Sequence, residues 1–177
     1  MALMDRRKIL RLGVAGVCTL AGAPVFAATT QRRFLSFEHL HTGEKDTITY
    51  WEDGAYVSDA LKSLDHLLRD HRTDEVLSID RDLFDQLHRL QRLVGSNQTF
   101  QVISGYRSPR TNAMLARRSG GVSKRSYHQF GMAIDVRLPG TGLRDLKSAA
   151  LSMKAGGVGY YPRSNFVHLD TGRVRFW

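Results

Sequence analysis

Cysteine is nearly missing from this 177-residue chain: there is one, Cys18, close to the N-terminus. A fold built from the rest needs no disulfide, and chemistry by a thiol nucleophile is excluded. Long apolar runs are missing too. The longest such stretch, Ile9 to Ala23, falls short of the roughly 20 residues a membrane span needs, so no stable transmembrane anchor is expected. Acid is in short supply, with 17 Asp and Glu against 26 Lys and Arg and a net charge of +9. Such an excess suits an anionic polymer. Nucleic acid is not the expected one, because no basic run is interleaved with aromatics as single-strand binders require.

Residues 1–28 read as an export signal. Arg6-Arg7-Lys8 forms a positive start, Ile9 to Ala23 an apolar core and Val25-Phe26-Ala27 a cleavage site. The adjacent arginines predict the twin-arginine route and a periplasmic destination. Cys18 follows Val17 rather than the small residue of a lipoprotein site. Removing Arg6, Arg7, Lys8, Arg11 and Asp5 takes the charge from +9 to +6. Residues 29–177 then make one domain, expected to be a monomer, with room for a real core.

Within that domain, Leu35, Phe37, His39 and His41 alternate with other residues up to a turn at Thr42-Gly43-Glu44, and Thr47 to Trp51 follows, predicting a hairpin. Ser58, as N-cap, precedes a stripe of Ala60, Leu61, Leu64, Leu67 and Leu68. Asp80 precedes a second stripe of Leu83, Leu87, Leu90 and Val94, stopped by Gly95. Phe100 to Ser104 predicts a buried strand, and Ser108-Pro109 the start of a helix. The stretch 119–124 predicts a rim loop. Leu143 to Ala155 predicts a last helix, closed by Gly156-Gly157, and Tyr160, Tyr161 and Pro162 are expected beside the site as a wall or as packing. Runs of strand and helix without regular alternation predict an α+β domain, an antiparallel sheet of roughly four to six strands with helices on one face.

The chemistry lies between Ser104 and Asp170. Met132, Ile134, Val136 and Leu138 alternate with Ala133, Asp135 and Arg137, which leaves Asp135 on the face away from the core. Val167 and Leu169 alternate likewise with His168 and Asp170, so that pair shares a face. Side by side, the two strands bring Asp135 to His168. His128 lies at an odd spacing from Asp135, and Gly131 between them supplies the turn that re-aims it. His, Asp and His are donors that suit Zn²⁺, and three ligands leave a fourth position for water, the pattern of a catalytic site whose chemistry is amide hydrolysis. His39 and His41 form a rival pair with no carboxylate motif after it, and solvated strand histidines are the simpler expectation there. Arg107, at a strand end, is placed to hold a peptide carboxylate bidentately or to pair with a surface acid. Ser126 is a substrate contact or a turn former.

Ser126-x-His128-x-x-Gly131-x-Ala133-x-Asp135, followed by a strand ending in a histidine, resembles the lysostaphin, D-Ala-D-Ala peptidase and hedgehog zinc superfamily. Ser104 to Pro109, Gly156 to Pro162 and Phe166 to Gly172 are similar to its MepK-like murein endopeptidase branch, over about the last two thirds of the chain. The resemblance implies zinc ligation by His128, Asp135 and His168, substrate binding by Arg107, and peptidoglycan peptides as substrate. Many such relatives carry an acid three residues before the last ligand as general base, where this chain has Asn165. Either Asp170 takes that role or the mechanism differs. The expected function is zinc-dependent cleavage of murein peptide cross-links, D,D or L,D, with carboxypeptidase action possible. A zinc-containing wall-binding protein without turnover is the alternative.

Overall fold

In the computed structural model, which describes residues 31–118 and 122–177, the alternating segments are strands and the leucine stripes are helices. The export signal expected at 1–28 lies outside the described residues. Strands β1 (Arg32–His39) and β2 (Lys45–Glu52) form the hairpin, with a bulge between Arg33 and Phe34, and β3 (Ala55–Tyr56) extends its edge. Helices α1 (Ser58–Leu67) and α2 (Arg81–Leu93) follow, then β4 (Phe100–Ser104) and α3 (Pro109–Arg118). A 3₁₀ turn at Tyr127–Phe130 leads into β5 (Ala133–Arg137). Helix α4 (Leu143–Met153) and strands β6 (Gly157–Tyr161), β7 (Phe166–Asp170) and β8 (Arg175–Phe176) complete the chain.

The helix signals have physical causes. Asp80 caps α2 by accepting the Asp82 N–H at 3.1 Å, and Gly95 ends that helix region with a φ of +63°. Ser58, expected as a cap, is instead the first residue of α1; Val57 holds the cap position, its N–H donating to the Tyr50 carbonyl as the β2–β3 ribbon ends. Helix α4 ends earlier than expected, because Lys154 takes the left-handed conformation (φ +50°), and Gly156-Gly157 leads into β6.

Among the described residues the eight strands form one sheet in the order β3-β2-β1-β4-β5-β7-β6-β8. The expectation of a smaller, purely antiparallel sheet is corrected on both counts. Strands β1 and β4 run parallel, as do β6 and β8, so the sheet is mixed. The chain spends α1 and α2 between β1 and β4, which is enough length to return to the same end of the sheet.

One sheet face meets the helices. Leu64 and Leu67 of α1, Leu83, Phe84, Leu87 and Leu90 of α2, and Leu146, Ala150 and Met153 of α4 pack with Leu35, Phe37, Phe100, Val102, Ile134, Val136, Val167 and Leu169 of the strands. Each fully buried Leu or Phe contributes about 1.5–3 kcal/mol, and truncating one such as Leu87 to alanine would cost about 2–5 kcal/mol. Because these strand residues take the helix-covered face, period two sends Asp135, His168 and Asp170 to the other.

Candidate metal centre

The pairing register does the first part of the assembly. Strands β5 and β7 are antiparallel neighbours with Asp135 directly opposite His168. The third residue comes from the 3₁₀ turn, which Gly131 closes with a left-handed φ of +67°. A Cβ there would run into the Ser78 carbonyl, so glycine is required twice over, by backbone sign and by space. The turn points His128 inward, where it is buried.

His128 Nε2, His168 Nδ1 and Asp135 Oδ1 then form a small triangle. The nitrogens are 3.2 Å apart, and Asp135 Oδ1 is 3.2 Å from His128 and 2.8 Å from His168. Each imidazole has its other nitrogen engaged: His128 Nδ1 lies 2.7 Å from the Gly105 carbonyl, and His168 Nε2 lies 3.0 Å from Asp170 Oδ2. Both outer partners are acceptors, so the outer nitrogens carry the protons and the inner ones present lone pairs. Three acceptors facing one point repel unless a cation lies between them. Tetrahedral zinc with bonds of about 2.0–2.1 Å has ligand–ligand edges of roughly 3.3 Å, close to this triangle, and the donor set is one zinc takes. The three residues therefore fit a metal ion, and among the described residues they are the one such group.

Burial and neighbouring charges act differently on the three side chains. Burial opposes ionisation of Asp135, but His128 and the Arg107 guanidinium outweigh it and hold the carboxyl well below its usual range. Burial pulls His128 down to about 4, keeping it neutral and ligand-ready. At His168 burial pulls the same way, yet the hydrogen bonds to Asp135 and Asp170 prevail and raise it.

Arg107 sits at the end of β4, with Nε 2.8 Å from Ser104 Oγ and Nη2 on Asp135 Oδ2, while also lining the cavity. The acid it meets is thus the proposed ligand rather than one on the surface. Ser126 lines the same cavity, and its hydroxyl makes no cap bond to the turn behind it. Asp170, expected at the water, lies elsewhere. Its carboxylate is fully buried behind His168, on the ring nitrogen that faces away from the triangle. It also accepts from the Gly157 and Gly172 N–H groups and from both arms of Arg175. Burial opposes its ionisation, but the hydrogen bonds from His168, Arg175 and Gly172 outweigh it and hold the carboxyl well below its usual range. Asn165 occupies the β6–β7 turn with φ +54°, a backbone state asparagine tolerates, so the residue type there answers to the turn.

The rival pair stays together, with the His39 and His41 rings 5.9 Å apart and His71 5.4 Å from His39, but these histidines do not bring their ring nitrogens to one point as the triangle does. His39 is buried, its Nδ1 facing the His41 and Thr42 N–H groups at 3.3 and 3.4 Å, and His41 stacks on His71 at 4.1 Å. The triangle opens into a cavity of about 720 Å³ whose walls include Tyr127, Tyr161, Phe166, Trp177, Arg125, Arg173 and Arg175. Val122 and Ser123 of the expected rim loop line it as well, and residues 119–121 lie outside the described residues. Sequence reasoning passed over Tyr127, Arg125 and the three C-terminal residues Arg173, Arg175 and Trp177. For Arg175 and Trp177 the signal is Gly157-x-Gly159 within a strand, where glycine has no packing value, and for Tyr127 it is Gly172, whose Cβ would run into that ring.

Residues 27–177 match the peptidase family Peptidase_M15_2, described as Peptidoglycan L,D-endopeptidase MepK. The chain is 49% identical over 176 residues to the Peptidoglycan L,D-endopeptidase MepK of Escherichia coli (strain K12), covering 98% of this chain and 97% of that one. The Shigella flexneri protein of the same name is similar to the same extent. The Haemophilus influenzae protein named Probable peptidoglycan L,D-endopeptidase MepK is 43% identical over 177 residues, 98% of this chain and 95% of its own. No solved structure matches the chain. With near full-length agreement at these identities, the chain belongs to the peptidase family described as Peptidoglycan L,D-endopeptidase MepK.

Proposed function

We propose that this protein is a zinc-dependent peptidoglycan hydrolase, an endopeptidase for L,D peptide cross-links, with His128, Asp135 and His168 holding the metal. The observation that carries the reading is the triangle of three acceptors, 2.8–3.2 Å on a side, at the floor of a basic cavity. Peptidases of this family are zinc-dependent in general, and relatives named L,D-endopeptidases favour the L,D bond over the D,D bond. Bound Zn²⁺ would supply Lewis acidity to an amide carbonyl and lower the pKa of a water toward about 7.

The chain's own residues do the rest. Arg107 holds the outer oxygen of Asp135, which fixes the inner one toward the metal position. Asp170 accepts the His168 Nε2–H and so fixes the ring and its tautomer. Four guanidiniums line the cavity, those of Arg107, Arg125, Arg173 and Arg175. Arg107 and Arg175 are paired to Asp135 and Asp170, while Arg125 and Arg173 have no acidic partner among the described residues. That leaves two bidentate sites for carboxylates of a peptide substrate. Tyr127, Tyr161, Phe166 and Trp177 form an aromatic wall for the ligand, and Ser126 faces the same space. Export through the twin-arginine route to the periplasm, where peptidoglycan lies, is the location this function requires, and Arg6-Arg7 before the apolar run supports it.

One observation favours a wall-binding protein without turnover: among the described residues the cavity lining contains no carboxylate besides Asp135. Digestion of isolated peptidoglycan by the zinc-loaded protein, with mass analysis of the muropeptides, separates the readings. Loss of L,D-linked dimers with gain of monomers is expected; an unchanged profile with protein bound to the polymer would support the second.

A further inference from the structure

We infer that the end of the chain, Arg175 to Trp177, is a positioning device for the metal ligand His168 and sets the affinity of the site; this rests on the zinc reading above. The link runs through Asp170. Arg175 grips both oxygens of this buried carboxylate, at 2.7 and 3.0 Å, so the oxygen that meets His168 cannot rotate away. The guanidinium is itself fixed between two rings, 5.1 Å from the Tyr127 centroid and 4.9 Å from that of Trp177. Trp177 stands 5.3 Å from the His168 ring and donates its indole N–H to the Tyr161 hydroxyl at 2.7 Å. The backbone locks the end down as well: the Tyr160 N–H donates to the Trp177 carbonyl and the Trp177 N–H to the Val158 carbonyl, at 3.0 and 3.2 Å.

The opposing strand is shaped for this. A Cβ at Gly157 would lie 2.5 Å from Arg175 Nη1, and one at Gly159 would lie 2.8 Å from the Trp177 indole. Glycine weakens a strand, so two of them spaced by two residues on β6 are accounted for by the side chains that cross there. A surface ion pair at a chain end would require no such clearance. The carboxylate–imidazole contact makes a ligand more basic and fixes its aim, and loss of such a partner typically weakens metal binding about 10–100-fold.

The test is zinc affinity by chelator competition, alongside thermal unfolding with and without zinc, on the purified protein. Arg175→Gln should weaken zinc about 10–100-fold and shrink the zinc-induced rise in Tm, while Arg175→Lys, which keeps charge but not the fork, should recover part of the loss. Trp177→Ala and Gly159→Ala should weaken zinc in the same direction and shift the visible spectrum of the Co²⁺-loaded protein. If these variants lower the Tm of the zinc-free protein but leave zinc affinity within about twofold of wild type, the chain end is structural only and the inference is overturned. His168→Ala separates the two levels. If it loses zinc while Arg175→Gln does not, this inference alone fails; if wild type takes up no stoichiometric zinc, the metal reading fails and takes this one with it.

Discussion

Replacing Asp170 by asparagine separates a proton acceptor from a residue that aims a ligand. The carboxylate accepts five hydrogen bonds: Gly157, Gly172 and Arg175 donate to Oδ1, His168 and Arg175 to Oδ2. An amide offers one accepting oxygen, and its NH₂ must face at least two of those donors whichever way it is turned. Breaking a buried charged network in this way costs about 3–5 kcal/mol of stability. If the NH₂ faces His168, the ring also loses its outer acceptor and zinc binding weakens by about 10–100-fold. Turnover measured at saturating zinc should nevertheless stay within about tenfold of wild type, because the carboxylate lies on the side of His168 away from the triangle. A general base would behave in the opposite way, with turnover down about 10²–10⁴-fold and the metal still in place. The assay is zinc affinity, Tm and cleavage of a muropeptide dimer on the same preparation. Unchanged affinity with turnover lost by two or more orders of magnitude would refute the argument and return Asp170 to the role of base.

Other expectations follow from single residues. Asp70 is buried and accepts the Ser108 and Arg72 N–H groups at 2.8 and 2.9 Å; these and Thr111 outweigh burial and lower its pKa to about 2. Its folded pKa lies below its unfolded one, so its stabilisation is present above about pH 4 and lost as pH falls toward about 2. Asp70→Asn should therefore cost about 2 kcal/mol at pH 7 in denaturant melts and remove that part of the acid dependence. Gly131→Ala sets a Cβ against the Ser78 carbonyl at a positive φ, and should cost roughly 1–3 kcal/mol and weaken zinc by moving His128, as read by melts and chelator competition. Changing Arg6 and Arg7 together to lysine should hold the precursor in the cytoplasm, as cell fractionation would show.

Much of the site was legible because it depends on short-range rules. Period two put Asp135 and His168 on the face opposite Val136 and Val167, and antiparallel pairing made them partners. Gly131 announced the turn that His128 needs. Asp170 shows where such rules stop. Alternation places it beside His168, but which ring nitrogen faces inward depends on rotamers and on the Arg175 partner, neither of which a pattern encodes. The parallel pairing of β1 with β4 was not legible either, since two helices intervene and strand direction after so long a connection is a tertiary matter. Gly156-Gly157 read as a helix stop. Gly157 instead makes room for Asp170 and Arg175, a requirement set by residues more than ten positions away.

In the function proposed above, the His128, Asp135 and His168 triangle cleaves L,D cross-links with zinc in place. The most direct measurement follows one preparation on a purified L,D-linked muropeptide dimer as isolated, after chelation and after zinc is restored, with His168→Ala run beside it. Expected are cleavage at the L,D bond, loss of at least about 10²-fold on chelation, recovery with one zinc per chain, and no recovery in the variant. Undiminished cleavage by the chelated protein, or by His168→Ala, would contradict it.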